Sequence, residues 1–334
     1  MDSSTQQLAA VADWQQVLAA AVRDSAVLLR RLQLEDSELA SSIITAREFP
    51  LLVPEPFLAK MRIGDAQDPL LRQVLPVQDE LDKAAGFSLD PLGELQSNVR
   101  PGLIHKYQGR VLLLAATGCA INCRYCFRRH FPYADNRLGS RQWQQALEYV
   151  AADSSISEVI LSGGDPLLLN DAQLAKLVAQ IAAIPHVRRL RIHSRLPVVI
   201  PQRLTAQLQA CLQSSRLQCS LVLHVNHPHE LGAEHLAPLA ALRSGGVCLL
   251  NQSVLLAGVN DDAAILCQLS ELLFDYGVLP YYLHSLDLVQ GAQHFAVERG
   301  RALQLHRQMH ALLPGYLLPR LVQEIAGEPG KTLL

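Results

Sequence analysis

Thr117-Gly-Cys-Ala-Ile-Asn-Cys-Arg-Tyr-Cys-Phe-Arg-Arg129 follows directly on an apolar run, Val111 to Ala116. It sets Cys119, Cys123 and Cys126 in a C-x3-C-x2-C pattern in a loop leaving an expected strand. Three thiolates this close can converge on one inorganic centre, and cysteine thiolates are what hold iron–sulfur clusters. A four-iron cube has four corners, so three cysteines leave one iron open, and an open coordination position is how a metal site admits a reactant. A zinc site with a distant fourth ligand, or three unrelated buried cysteines, are the alternatives. The spacing at a strand end favours a [4Fe–4S] cluster.

Downstream of Arg110 short apolar runs alternate with helical patterns. The runs are Val111–Ala116, Glu158–Leu161, Arg189–His193, Ser220–Val225, Val247–Leu256 and Leu279–His284. The helical candidates are Ser140–Ala152, Asp171–Ala183, Pro201–Gln213, Glu230–Arg243, Asp261–Tyr276 and Val297–Leu312. Strand–helix alternation means right-handed βαβ units and a parallel sheet. Six units predict an α/β fold with a partial (β/α)6 barrel, a doubly wound open sheet being the alternative. Functional loops should leave the C-terminal strand ends in either case, as the cysteine loop does.

The rest of the chain divides around this core. Residues 1–101 are expected as a mostly helical N-terminal layer, with one helix over Ala12–Leu32 and proline-interrupted chain after it. Asp68-Pro and Asp90-Pro read as helix starts, Asp capping and Pro in the first turn. The barrel would occupy 102–313, and 314–334 would be a short irregular arm ending near Lys331. A net charge of −2 without a long basic run argues against a nucleic-acid partner. Seven cysteines without compact disulfide spacing fit a reducing compartment. Met1 to Val11 lacks the pattern of a leader, and no run approaches a membrane span, so a soluble cytoplasmic protein is expected.

Polar residues recur where the strands should end. Ser162-Gly-Gly-Asp-Pro166 supplies paired glycines that let a ligand approach the backbone. His193-Ser194-Arg195, His224-Val-Asn-His227-Pro-His229, Asn251-Gln252-Ser253 and Tyr281 to Asp287 follow on later strands. The histidine offsets do not put three rings on one face for zinc, so they are expected as hydrogen-bonding groups at a cofactor mouth. Five such patches at one end predict a lined pocket.

The cysteine loop resembles the radical S-adenosylmethionine (SAM) signature, and the chain as a whole resembles the lysine 2,3-aminomutase family. The matching segments are Asp68-Pro-Leu-Leu-Arg-Gln, Asp90-Pro-Leu-Gly-Glu, the cysteine loop through Arg129, and Leu161-Ser-Gly-Gly-Asp-Pro-Leu-Leu-Leu. Arg195-Leu-Pro-Val-Val-Ile-Pro-Gln-Arg, Asn226-His-Pro, Asn251-Gln-Ser-Val-Leu-Leu-Ala-Gly-Val-Asn, Pro280-Tyr-Tyr-Leu and Gly330-Lys331 complete the match. The resemblance implies a cluster on the three cysteines, SAM on its free iron, and pyridoxal 5′-phosphate (PLP) on Lys331. It implies Lys106, Tyr107 and Arg110 as the PLP-phosphate region, and Gly163, Gly164, Asp165, Ser194, His224 and Gln252 as cofactor contacts. It places the carboxylate of L-lysine on Arg128 and its distal ammonium on Asp287 and Glu324.

Three departures from the family pattern stand out. Glu324 replaces an aspartate, the glycine-rich stretch before the lysine is Ala326-Gly-Glu-Pro-Gly330, and the sequence stops three residues after Lys331. The shortened tail and the glutamate for aspartate resemble the bacterial subgroup that makes β-lysine for elongation factor P, which implies a downstream ligase. An external electron donor is also implied, and a homo-oligomer is left open. An aminomutase for another amino acid and a non-catalytic zinc module are the alternatives. The carboxylate pair favours a substrate with a distal cation.

Overall fold

A computed structural model describes residues 13–46, 48–133, 136 and 140–334. The segment Met1 to Val11, expected not to be a leader, lies outside the described residues. Ten strands form one sheet: β1 (Asn98–Arg100), β2 (Leu103–Tyr107), β3 (Arg110–Ala116), β4 (Glu158–Gly163), β5 (Arg189–Ser194), β6 (Gln218–Leu223), β7 (Cys248–Val254), β8 (Leu279–His284), β9 (Arg320–Gln323) and β10 (Thr332–Leu333). They lie in strictly sequential order. β3 through β9 are parallel neighbours, while β1, β2 and β10 run antiparallel at the two margins.

That order decides between the two expected architectures. Right-handed crossovers that always step in one direction put every helix on the same face. A doubly wound sheet needs a reversal of strand order, and none occurs here. The sheet is an open barrel, since β1 and β10 do not pair with each other. Its seventh parallel strand, β9, comes from the tail, which is more regular than its proline and glycine content suggests. β9 pairs with β8 through Tyr282↔Arg320, Leu283↔Leu321 and His284↔Val322.

Residue alternation along the strands separates two environments. Leu161, Leu190, Ile192, Leu221 and Leu249 pack outward into one buried cluster with Leu174, Leu177, Leu208 and Leu239 of the surrounding helices. Ile160, Ser162, Arg191, His193, Leu250, Gln252, Tyr282 and His284 point inward and line a cavity of about 620 Å³. The helices start where capping residues stand. Asn170 accepts from Gln173 N at 2.9 Å, Thr205 from Leu208 N at 3.0 Å and Asp262 from Ala264 N at 2.8 Å.

The N-terminal helix differs from its expected extent. Ala12 lies outside the described residues, and from Asp13 to Leu32 there are two helices, Trp14–Ala19 and Ser25–Arg31, because Val22 leaves the helical path to bridge Val53. Asp24 then caps the second helix by accepting from Val27 N at 2.9 Å. The apolar spacing across the break was helical, but a backbone partner from another segment outcompeted continuation. No helix among the described residues is long and apolar enough to cross a membrane.

Candidate active site

The loop after β3 is held from two sides. On one side, Glu80 of the N-terminal layer accepts from the guanidiniums of both Arg124 and Arg129, with all three side chains largely out of solvent. The loop backbone also reaches that layer, Arg124 N donating to Gln73 O at 2.8 Å. On the other side, the loop after β4 lies directly against it. Gly164 N donates to Ala116 O at 2.9 Å and Asp165 N to Gly118 O at 2.7 Å. A Cβ on Gly163 or Gly164 would be driven into the carbonyl oxygen of Ala116 or Gly118. Gly163 also sits at φ +130, where side chains are strained. The paired glycines thus permit a close approach of two backbones.

All three cysteines line the cavity. Burial, then the neighbouring Cys123 thiol, push Cys126 up to about 11, and burial drives Cys119 well above its usual value. Thiolates here need a positive centre to hold them ionised, which is what metal ligation provides. Among the described residues no group of three or more His, Cys, Asp or Glu side chains is placed around a single ion. A polynuclear cluster takes each thiolate on its own iron, which three cysteines of one loop can supply. Cys123 additionally receives Arg195 Nη1 at 2.7 Å.

Asp165 and Ser194, expected as cofactor contacts, spend their polar atoms on the protein. Ser194 Oγ donates to Asp165 Oδ1 at 2.7 Å, and Leu167 N donates to the same oxygen at 3.0 Å. Arg195 N and Leu196 N donate to Asp165 Oδ2 at 2.8 and 2.9 Å. Asp165 therefore ties the β4 and β5 exits together. His224 and Gln252 remain at the cavity wall, 3.0 Å apart between Nε2 atoms. Burial, then Arg195, hold His224 down at about 3, so its ring is neutral.

The expectation for His227 and His229 is corrected. Neither lines the cavity; their rings meet edge to face with centroids 4.4 Å apart, and His229 meets Arg62 at 3.3 Å. Pro228 starts a tight turn there, which directs both rings toward the N-terminal layer. His193 and His284 take the cavity positions instead. Both have a buried Nε2 without a partner. Burial lowers both well below the usual histidine value, with Arg191 next in effect on His193 and Lys331 on His284. Unpartnered neutral ring nitrogens facing a cavity fit a polar ligand.

The charged groups converge on the same space. Lys331 Nζ donates to Glu324 Oε2 at 3.0 Å and lies 5.6 Å from the Tyr282 ring centroid. Lys106 Nζ donates to Glu324 Oε1 at 3.1 Å. Arg110 stacks over Tyr107 at 4.6 Å and makes no ion pair among the described residues, leaving a cation beside Lys106 that suits a phosphate. Burial raises Glu324, but Lys331 and Lys106 outweigh it and hold the carboxylate at about 2. Asp287 lines the cavity, half-buried, and desolvation followed by Glu324 pushes it up to about 7.

Arg128 is not free. Its Nε and Nη2 donate to Glu94 at 2.7 and 2.8 Å, and Nη1 donates to Ser162 Oγ at 3.0 Å and Gly163 O at 3.3 Å. Glu94 was not singled out from the sequence, although it ends the Asp90-Pro-Leu-Gly-Glu segment. The helix expected after Asp90 does not form, and the segment is a run of turns, but the Asp90 carboxylate accepts from Glu94 N at 2.9 Å and Leu95 N at 3.1 Å and so aims Glu94 at Arg128.

Comparison with known proteins accords with this geometry. Residues 107–189, which span the cysteine loop and the β4 exit, match a family model described as a 4Fe-4S single cluster domain. The L-lysine 2,3-aminomutase of Escherichia coli is 54% identical over 323 residues, 96% of this chain and 94% of that one. The chain belongs to the lysine 2,3-aminomutase family. The Haemophilus influenzae member is 50% identical over 96% of this chain and 95% of its own length. The Clostridium subterminale member is 37% identical over 83% of this chain and 66% of its own. Among solved structures, a radical SAM methyltransferase from Sphaerobacter thermophilus matches with a TM-score of 0.46 at 17% identity, covering 66% of this chain and 68% of that chain.

Proposed function

We propose that this member of the lysine 2,3-aminomutase family is an isomerase that converts L-lysine to β-lysine by a radical 1,2-amino migration. The observation that carries it is the gathering of the three-cysteine loop, Lys331, Arg128 and the Asp287–Glu324 pair around one cavity. The [4Fe–4S] cluster with SAM supplies one-electron initiation, and PLP supplies a conjugated system through which nitrogen can pass between adjacent carbons. Cys119, Cys123 and Cys126 hold the cluster. Gly163, Gly164, His224 and Gln252 face SAM, with Asp165 and Ser194 fixing the loops that carry them.

Lys331 carries PLP, and Lys106, Tyr107 and Arg110 receive its phosphate. Arg128 orients the substrate carboxylate. Four of its five N–H protons are engaged, so it is rigidly aimed and keeps one on Nη2 for an incoming oxygen. Asp287 and Glu324 receive the distal ammonium. Lys106 and Lys331, the two cations now on Glu324, are both assigned to PLP, which leaves Glu324 as a carboxylate for the substrate.

The N-terminal layer clamps the cysteine loop, the barrel forms the cavity and the arm brings Lys331 to it. A low-potential external donor would supply the electron such a cluster needs. The resemblance to the β-lysine-forming bacterial subgroup supports a product destined for a ligase acting on elongation factor P.

The test is anaerobic reconstitution followed by assay of lysine with SAM, PLP and reductant. β-Lysine is the expected product. Asp287→Asn and Glu324→Gln should keep the cluster and PLP spectra yet lose most turnover, since stranding a buried charge costs about 2–5 kcal/mol. Near-normal turnover in both variants would remove the physical basis for lysine as substrate.

A further inference from the structure

We propose that Arg195 is a positioning residue that sets the reduction potential of the cluster through Cys123, with Glu230 as its opposing charge. The inference rests on ligation of the cluster by Cys119, Cys123 and Cys126. Arg195 leaves β5 only 5% exposed, and its guanidinium lies between three segments distant in sequence. Nη1 donates to Cys123 Sγ at 2.7 Å, while Nη2 donates to Gln73 Oε1 at 2.7 Å and Glu230 Oε2 at 3.0 Å. The rings of Phe57 and Tyr125 flank it at 5.4 and 5.6 Å. Its backbone is pinned as well, through Arg195 N to Asp165 Oδ2 at 2.8 Å. The cation cannot drift from the sulfur without breaking several buried contacts.

Among the described residues, Cys123 is the one cysteine of the three with a charged side chain hydrogen-bonded to its sulfur. Hydrogen bonds to the sulfurs and local net charge are two of the factors that set iron–sulfur potentials. Guanidinium does not shed its proton in a protein, so Arg195 contributes a constant positive charge. One electron from a low-potential one-electron donor converts [4Fe–4S]²⁺ to [4Fe–4S]⁺; no bond or proton need move. A fixed cation at a ligating sulfur favours the more negative, reduced state and raises the potential.

Glu230 works in the opposite sense. It is 0% exposed, and Gln73 Nε2, Asn226 N and His227 N donate to its Oε1 at 3.1, 3.0 and 3.1 Å. Those neutral donors hold the carboxylate in place behind Arg195. The field at Cys123 is therefore a difference between a cation in contact and an anion one step further away. Removing either charge should move the potential, in opposite directions. A purely structural role for the pair has no reason to produce opposite signs.

The experiment is an EPR-monitored redox titration of the full-length protein, anaerobically reconstituted and free of substrate, with iron and sulfide measured alongside. Arg195→Met should shift the midpoint to more negative values, and Glu230→Gln to more positive values. Arg195→Lys, which keeps the charge, should lie closer to wild type than Arg195→Met. Should the methionine variant not fold, the positive shift of Glu230→Gln decides, with Arg195→Lys expected close to wild type. Unmoved midpoints with full cluster content, or shifts of the same sign in Arg195→Met and Glu230→Gln, overturn the proposal alone. Absence of iron and sulfide from the wild-type protein overturns the ligation and this proposal together.

Discussion

Asp287 and Glu324 share a cavity yet hold their protons very differently. Glu324 has two ammonium partners and stays ionised, whereas Asp287 is half-buried beside that negative charge and titrates at about 7. Its carboxyl must lose a proton before it can receive an ammonium. Apparent lysine affinity should accordingly rise with pH up to about 7 and then level off. Below that value KM should grow roughly tenfold per pH unit, the slope of one required deprotonation. Steady-state KM measured from about pH 6 to about pH 8 checks this, and Asp287→Asn should abolish the dependence. Arg128 gives a second residue-scale expectation. Lysine in its place cannot fork onto Glu94 and also serve Ser162 and a substrate, so Arg128→Lys should lower kcat/KM by about 10²-fold or more. Single-turnover assay with the cluster content matched to wild type separates this from loss of cofactor.

The cysteine loop is an element whose shape depends on what it leans against. Glu80 neutralises two arginines from that loop, and Arg124 and Glu80 are fully or almost fully buried. Glu80→Gln would leave two buried guanidiniums sharing one neutral acceptor. Breaking a buried pair in this way costs about 3–5 kcal/mol, so the thermal midpoint and the retained iron should both fall. Gly164→Ala tests the opposite face of the loop. Its methyl would collide with Gly118 O, a backbone atom that cannot rotate aside. Iron content after reconstitution should drop sharply, while a control substitution at exposed Gly300, with open space around its Cβ position, should leave it unchanged.

At the scale of the molecule, the three chain segments meet in one sheet, with the cysteine loop and Lys331 supplied from opposite ends of the parallel run. The cysteine loop leaves β3, and Lys331 precedes β10 beyond β9. The cluster ligands and the PLP lysine come from different segments, so the cluster should load without PLP. Lys331→Met should keep full iron and sulfide but lose visible pyridoxal absorbance, and borohydride should no longer fix pyridoxyl label at that position. Loss of iron in this variant would show that the two sites are mechanically coupled.

The sequence by itself determined what is local. The three cysteines lie within eight residues, and the alternation of apolar runs with helical patterns spans single βα units, so both were legible without coordinates. The family resemblance extended this to Lys331, Arg128, Asp287 and Glu324. Tertiary structure decided which charges meet. Arg195 and Cys123 are 72 positions apart, Arg124 and Glu80 44, and Lys106 and Glu324 218. Glu94, Glu230 and Glu80 carry no local periodicity that distinguishes them from solvated carboxylates. Their partners follow from strand order and from the turns that enter each strand end. The same holds for the break at Val22, where a distant backbone segment overrode a helical pattern. Periodicity reports the face a residue presents, whereas an ion pair in a cavity requires two faces brought together by the whole sheet.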